Sequence, residues 1–289
     1  MIHSGYLLID KPAGITSHRV VEVLRKQFKI TKIGHTGTLD PFATGLLVLG
    51  INEALKFLTY LHEEPKVYEA TLKLGTGTDT LDCEGKIIES KPLSALDNEI
   101  VGKVLKGFLG KQNQEPPMFS AKKIKGKKLY ELAREGKEVE RKEVRIEIFD
   151  LKLLSQSSDT LQLHVSCSRG TYVRVLAAEI ARALGTVGHL IALRRLQAGP
   201  FDVANAFPLK DGEWKDVKLL PTEKALSHLP QLNLTREEAI ELGYGRKVAK
   251  DISTKSGFCC LFSDEKFLGM GEIKEGFLIP VRLLATVNL

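Results

Sequence analysis

The chain has 289 residues, 43% of them hydrophobic, with 42 lysines and arginines against 36 aspartates and glutamates, a formal net charge of +6. That is material for one large core and a small second domain, and the modest positive excess permits a polyanionic partner without demanding one. Cys83, Cys167, Cys259 and Cys260 lack C-x-x-C spacing, no apolar run approaches about 18 residues, and no export leader is legible, so the expectations are a cytoplasmic protein with no metal site and no membrane.

In chain order, Gly5 to Asp10 reads as a short apolar strand, then a turn at Lys11-Pro12-Ala13-Gly14. A helix follows, opened by Thr16 and Ser17, with Val20, Leu24 and Phe28 on one face. The most informative stretch is Gly34-His35-Thr36-Gly37-Thr38-Leu39-Asp40-Pro41-Phe42-Ala43-Thr44-Gly45. Glycine admits backbone angles closed to other residues and proline fixes φ, so Asp40 is carried on a stiff loop, as suits a nucleophile. The same run also suits a plain Asp-Pro turn ahead of an apolar strand from Gly45 to Gly50.

Asn52 is placed to cap a helix running to about His62, and Val67 to Leu74 alternates as a strand with Tyr68, Ala70, Leu72 and Leu74 on one side. Thr78 to Gly85 is an acidic turn whose spacing fails the calcium-loop pattern. Ser94 with Asp97 opens a helix bearing Leu96, Ile100, Val104 and Phe108. Beyond Pro116, Lys122, Lys123, Lys125, Lys127 and Lys128 crowd a segment that also holds Phe119 and Tyr130. Basic groups with interleaved aromatics suit an arm that contacts phosphates, and a solvated charged hairpin fits equally well.

Val144 to Leu154 and Leu161 to Cys167 alternate as half-buried strands. Cys167-Ser168-Arg169-Gly170-Thr171-Tyr172-Val173-Arg174 joins the second of them to a helix, with Tyr172 and Arg174 in its first turn. Arg174 can meet an aspartate as a bidentate fork, and such a pair would keep Asp40 ionised by lowering its pKa by roughly 1 to 3 units. Read alone, residues 189–195 are a helix with Leu193 in its core. Pro221 to Pro230 reads as a linker, and Thr235-Arg236-Glu237-Glu238 as a capping box opening a helix that ends at Gly243. Three short strands, Phe258 to Phe262, Phe267 to Gly271 and Phe277 to Leu284, suggest a small β-barrel. Helices and strands alternate without a βαβ rhythm, and no P-loop or G-x-G-x-x-G is present. The expectation is an α+β fold with a mixed, mostly antiparallel sheet.

The Asp40 loop, Lys66-Val67-Tyr68-Glu69-Ala70, Pro116-Pro117-Met118-Phe119-Ser120-Ala121, the 167–174 segment and His189-Leu190-Ile191-Ala192-Leu193-Arg194-Arg195 together resemble the TruB family of tRNA pseudouridine-55 synthases, in order along the chain. The resemblance implies a pseudouridine-synthase catalytic domain at 1–230, with an RNA-gripping insertion at about 112–145. A PUA-like RNA-binding domain would follow at 231–289, most clearly at Gly269-Met270-Gly271-Glu272-Ile273.

It further implies that uridine 55 of the tRNA T-arm stem-loop is flipped out and isomerised: the C1'–N1 bond breaks, the base turns, and a C1'–C5 bond forms. In that reading Asp40 is the nucleophile, Arg174 its partner, and Tyr68 stacks on the base, a contact worth roughly 1 to 3 kcal/mol. Tyr172 and Leu193 line the uridine pocket, and His35 takes the place the base leaves. Lys11, Pro12, Gly14 and Ser17 buttress the loop. Asp82 and the lysines at 122, 123, 125, 127 and 128 are candidate RNA contacts. No cofactor and no protein partner are required by this chemistry. Two rivals stay open: a non-catalytic RNA-binding or RNA-folding protein, and a magnesium-dependent hydrolase with an aspartate nucleophile, which the lack of a second acidic motif disfavours.

Overall fold

The computed structural model describes residues 4–93, 97–120, 122–124, 126–209, 217–250 and 255–284. Strand β1 (Gly5–Lys11) turns into helix α1 (Ser17–Phe28), whose first free amides are met by Thr16, accepting from the Arg19 amide. Val20, Val21 and Leu24 recur at helical spacing and pack on Leu7, Ile9, Leu47 and Leu49. Strands β2 (Ile33–Thr36) and β3 (Thr44–Ile51) flank the Asp40 loop. A 3-10 helix, Asn52–Tyr60, follows where an α-helix is predicted. Its cap position is held by Ile51, which offers no side-chain cap, and Asn52 follows in the left-handed region at φ 53°.

Strand β4 (Lys66–Leu74) buries alternate residues, Lys66, Tyr68, Ala70, Leu72 and Leu74. A hairpin of β5 (Thr76–Thr78) and β6 (Ile87–Ser90) encloses the acidic turn. Then come α2 (Asn98–Lys106), capped by Asp97, and β7 (Gly110–Gln114). The basic insertion holds β8 (Lys123–Ile124), β9 (Lys127–Lys128) and α3 (Leu129–Arg134). Strands β10 (Val144–Gln156) and β11 (Thr160–Cys167) lead to α4 (Val173–Ala183), β12 (Gly188–Ala198), β13 (Phe201–Asp202) and β14 (Phe207–Pro208).

The ten-stranded sheet runs β14-β1-β3-β12-β4-β11-β10-β7, with β13 beside β12 and β2 beside β3. Most pairs are antiparallel; β1 with β14 and β12 with β3 are parallel. Residues 189–195 are thus a central strand and not a helix, because pairing with both β4 and β3 overrides a local apolar spacing that fits either period. One core, under α2 and α4, holds Leu72, Val101, Leu163, Ile180 and Leu193.

Beyond α5 (Thr222–Ala225) the chain forms β15 (Gln231–Asn233), α6 (Arg236–Gly243), β16 (Val248–Ala249), β17 (Gly257–Ser263), β18 (Lys266–Lys274) and β19 (Phe277–Leu283). These strands make a curled half-barrel ordered β15-β17-β18-β19-β16, and the Thr235–Glu238 capping box starts α6. Residues 221–230 are not a loose linker. Ala225 and Leu226 are buried with Tyr6, Phe57, Cys260 and Met270, and the Phe57 and Phe267 rings meet at 5.7 Å.

Candidate active site

The loop between β2 and β3 is held by groups from elsewhere in the chain. Ser17 Oγ donates to the Leu39 carbonyl at 3.0 Å and accepts from its amide at 2.9 Å. Lys11 is fully buried, and its Nζ donates to the carbonyls of Pro12 (2.9 Å), Ile15 (2.8 Å) and Pro41 (3.1 Å). The Gly14 amide reaches the same Pro41 carbonyl at 2.9 Å. Burial pulls the Lys11 ammonium down to about 8, against the opposing attraction of Asp40. Gly45 must be glycine: its φ is +97°, and an added Cβ would stand 2.2 Å from the Arg195 carbonyl oxygen.

Arg174, in the first turn of α4 and 3% exposed, is the hub of the site. Its Nη2 donates to Asp40 Oδ1 at 3.1 Å and to the Phe119 carbonyl at 2.9 Å. Its Nη1 donates to the Thr80 carbonyl at 2.7 Å and to Asp82 Oδ2 at 3.0 Å. Nε lies 2.9 Å from Asp40 Oδ2, a charge contact whose N–H is not aligned for a hydrogen bond. One guanidinium therefore joins the Asp40 loop, the acidic turn and the basic insertion.

The Asp40 side chain is 33% exposed, shielded yet reachable. Contrary to the sequence expectation, its carboxyl is pushed up from the ordinary value. Burial is the largest cause; Arg174 pulls it back, Asp82 adds to the rise, and Lys11 opposes it. Burial first, and then the Asp82 charge on the same guanidinium, make Asp40 more basic than a solvated aspartate.

Tyr68 (6% exposed) and Leu193 (6%) lie in the same cluster as Leu39 and Ala43 of the loop. Burial pushes the Tyr68 phenol up, only partly offset by the Arg195 charge, which makes it a poor base at neutral pH and suits a stacking face. Tyr172 is the half-buried N-cap of α4; its amide donates to Gln114 Oε1 at 2.8 Å and its carbonyl accepts from Gln114 Nε2 at 3.2 Å. His35, on β2, borders a cavity of about 630 Å³ shared with Gly37, His62, Glu63, Glu64 and Arg169. Burial, then the Arg195 charge, hold its imidazole below the ordinary value and so neutral.

Residues 25–173 match the family profile described as TruB family pseudouridylate synthase (N terminal domain), and residues 230–284 that described as Pseudouridine synthase II TruB, C-terminal. The tRNA pseudouridine synthase B of Chromohalobacter salexigens is 42% identical, aligned over 99% of this chain and 95% of its own. The chain belongs to the TruB family of pseudouridylate synthases. Proteins of the same name from Azoarcus sp. (43% identical; 99% of this chain, 96% of theirs) and Aquifex aeolicus (41%; 97% and 99%) are similarly close. Among solved structures, a Cbf5-Nop10-Gar1 complex superposes with a TM-score of 0.72 at 24% identity, over 96% of this chain and 83% of that one. An H/ACA RNP bound to a substrate RNA containing 2'-deoxyuridine gives 0.71 at 22%, over 97% and 84%. Both show the shared fold.

As a TruB-family isomerase, the protein keeps its acid, its guanidinium and its aromatic face together. Other expected residues stand apart. Asp82 is 3% exposed: Oδ1 accepts from Thr80 Oγ1 (2.6 Å) and the Glu84 amide (3.0 Å), and Oδ2 from Arg174. Its carboxylate is thus engaged within the protein as a buried counter-ion to Arg174. Lys122 is half-buried, donating to the Lys142 carbonyl at 3.3 Å, and Lys127 is exposed. Lys125 and the side chains of Lys123 and Lys128 lie outside the described residues. Sequence reasoning missed Arg195 as a functional candidate and Lys11 as a buried ammonium; basic residues in otherwise apolar strands, Lys11 at the end of β1 and the Arg194-Arg195 pair in β12, were the available signal.

Proposed function

We propose that this TruB-family enzyme converts uridine 55 in the T-loop of tRNA to pseudouridine. The relatives named tRNA pseudouridine synthase B, matched over nearly their full lengths, support tRNA as the substrate class. The reading is carried by one observation: a partly exposed carboxylate, Asp40, clamped by the buried Arg174 beside the Tyr68 ring and Leu193.

The uridine leaves its stack and lies against Tyr68, with Leu193 and Tyr172 along its edges. Asp40 attacks or stabilises the electron-poor nucleoside while the C1'–N1 bond breaks; the turned base closes the C1'–C5 bond, Asp40 is released, and the proton lost from C5 is balanced by the one that N1 gains. A raised carboxyl pKa favours this role, since a more basic carboxylate is the stronger nucleophile provided it stays ionised. His35 fills the space left in the RNA. The rearrangement is redox-neutral and internal to one nucleotide, so no cofactor enters its balance.

In this reading residues 1–230 do the chemistry, the insertion at about 112–145 and the half-barrel from 231 grip the RNA, and no protein partner is needed in the cytoplasm. The test is a bare T-arm stem-loop transcript incubated with enzyme and EDTA, followed by mapping of pseudouridine. Modification at the position corresponding to 55 is expected. Absence of modification, or modification elsewhere, would overturn the assignment.

A further inference from the structure

We propose that Arg195 is a positioning residue for the isomerisation, a single guanidinium that fixes both feet of the Asp40 loop to the strand position that faces Tyr68. The inference rests on the reaction proposed above, but not on the identity of the RNA.

Arg195 is 1% exposed and sits on β12 at its parallel junction with β3. Its Nη2 donates to the Gly37 carbonyl at 2.7 Å and its Nε to the Leu46 carbonyl at 2.7 Å. Those two oxygens bracket the catalytic loop, one where it leaves β2 and one just after it enters β3. Tyr68 is the cross-strand partner of Arg195 in the β4–β12 ladder, so the two side chains leave the same side of the sheet and the phenol feels the guanidinium charge. The distance between loop and aromatic face is therefore set through one rigid planar group with several fixed donors.

The charge environment argues against a packing role. Among the described residues no carboxylate lies within 4 Å of Arg195. The ionisable neighbours that feel its charge are Lys11, Lys66, His35, Tyr68 and Cys167. A buried guanidinium facing two lysines and no carboxylate is a costly occupant of a strand centre, where an apolar side chain would serve stability better. What only the guanidinium supplies is simultaneous donation to both carbonyls that bracket the loop. Lysine retains the charge but cannot bridge both carbonyls.

The test compares wild type, R195K and R195Q in single-turnover reactions at saturating stem-loop RNA, with RNA affinity measured separately and rates expressed per folded molecule. R195K should bind RNA within about twofold of wild type while its single-turnover rate falls about 100-fold, as expected for a misplaced reacting group. R195Q, which keeps donors without the charge, should show the same split of kcat from KM. A wild-type rate in folded R195K, a rate loss tracking RNA affinity alone, or collapse of both variants into unfolded protein would each overturn the inference. Inactive wild-type enzyme would instead count against the proposed reaction, so the two failures are distinguishable.

Discussion

Replacing Asp82 by asparagine separates a buried counter-ion from an RNA contact. The side chain is 4% exposed and accepts from Arg174, Thr80 and the Glu84 amide. Asparagine matches its shape and can keep the Thr80 and Glu84 contacts, but it turns an amide toward Arg174 Nη1 and removes the charge. The loss is one hydrogen bond to a charged partner, about 1.5 to 3 kcal/mol, and falls short of the full cost of an orphaned buried ion because Arg174 retains Asp40 and two carbonyls. For a domain of this size that is a fall in melting temperature of about 3 to 12 °C.

A second effect has a definite sign. Asp82 helps push the Asp40 carboxyl up, so its neutralisation lets that pKa fall, and the acid limb of the pH–rate profile moves to lower pH. Thermal melts at neutral pH and kcat/KM from acid to neutral pH measure both quantities. Weakened RNA binding with an unchanged melting temperature and an unmoved acid limb would refute the reasoning and restore Asp82 as an RNA contact.

Arg174→Lys should move the acid limb the opposite way, to higher pH, since the pull that lowers the Asp40 carboxyl is weakened, and should cut the single-turnover rate about 100-fold or more by loosening the loop; a wild-type profile in R174K would contradict this. Lys11→Met tests the buried ammonium. Its folded pKa of about 8 lies below the ordinary 10.5, so between those values the unfolded chain binds the extra proton and wild-type stability gains with rising pH. The difference in unfolding free energy between wild type and K11M should accordingly widen from pH 8 to 10.5, and denaturant melts across that window would show a constant gap if Lys11 were ordinarily solvated.

Much of the local architecture was legible in the sequence because it is encoded locally. The alternation from Tyr68 to Leu74, the Thr16 cap and the Thr235–Glu238 capping box each follow from a few neighbouring residues. Elements decided at long range were not. Residues 189–195 carry apolar side chains compatible with either period, and only pairing with β3 and β4 makes them a strand. Leu226 looks like linker until Tyr6 and Phe57 cover it. At the site, the Asp40–Arg174 contact was readable from the motifs, whereas the direction of the Asp40 pKa was not. It depends on burial and on Asp82, which the bridge between Asp82 and Leu190 brings in from a distant turn.

The role of Asp40 is the claim everything else serves, and Asp40→Asn tests it most directly because the substitution removes only the charge and the nucleophilic oxygen. Single-turnover conversion of the T-arm stem-loop by folded D40N, at RNA concentrations that saturate binding, should yield no pseudouridine while RNA affinity stays within a few-fold of wild type. Pseudouridine formed by D40N at the wild-type rate would contradict the account.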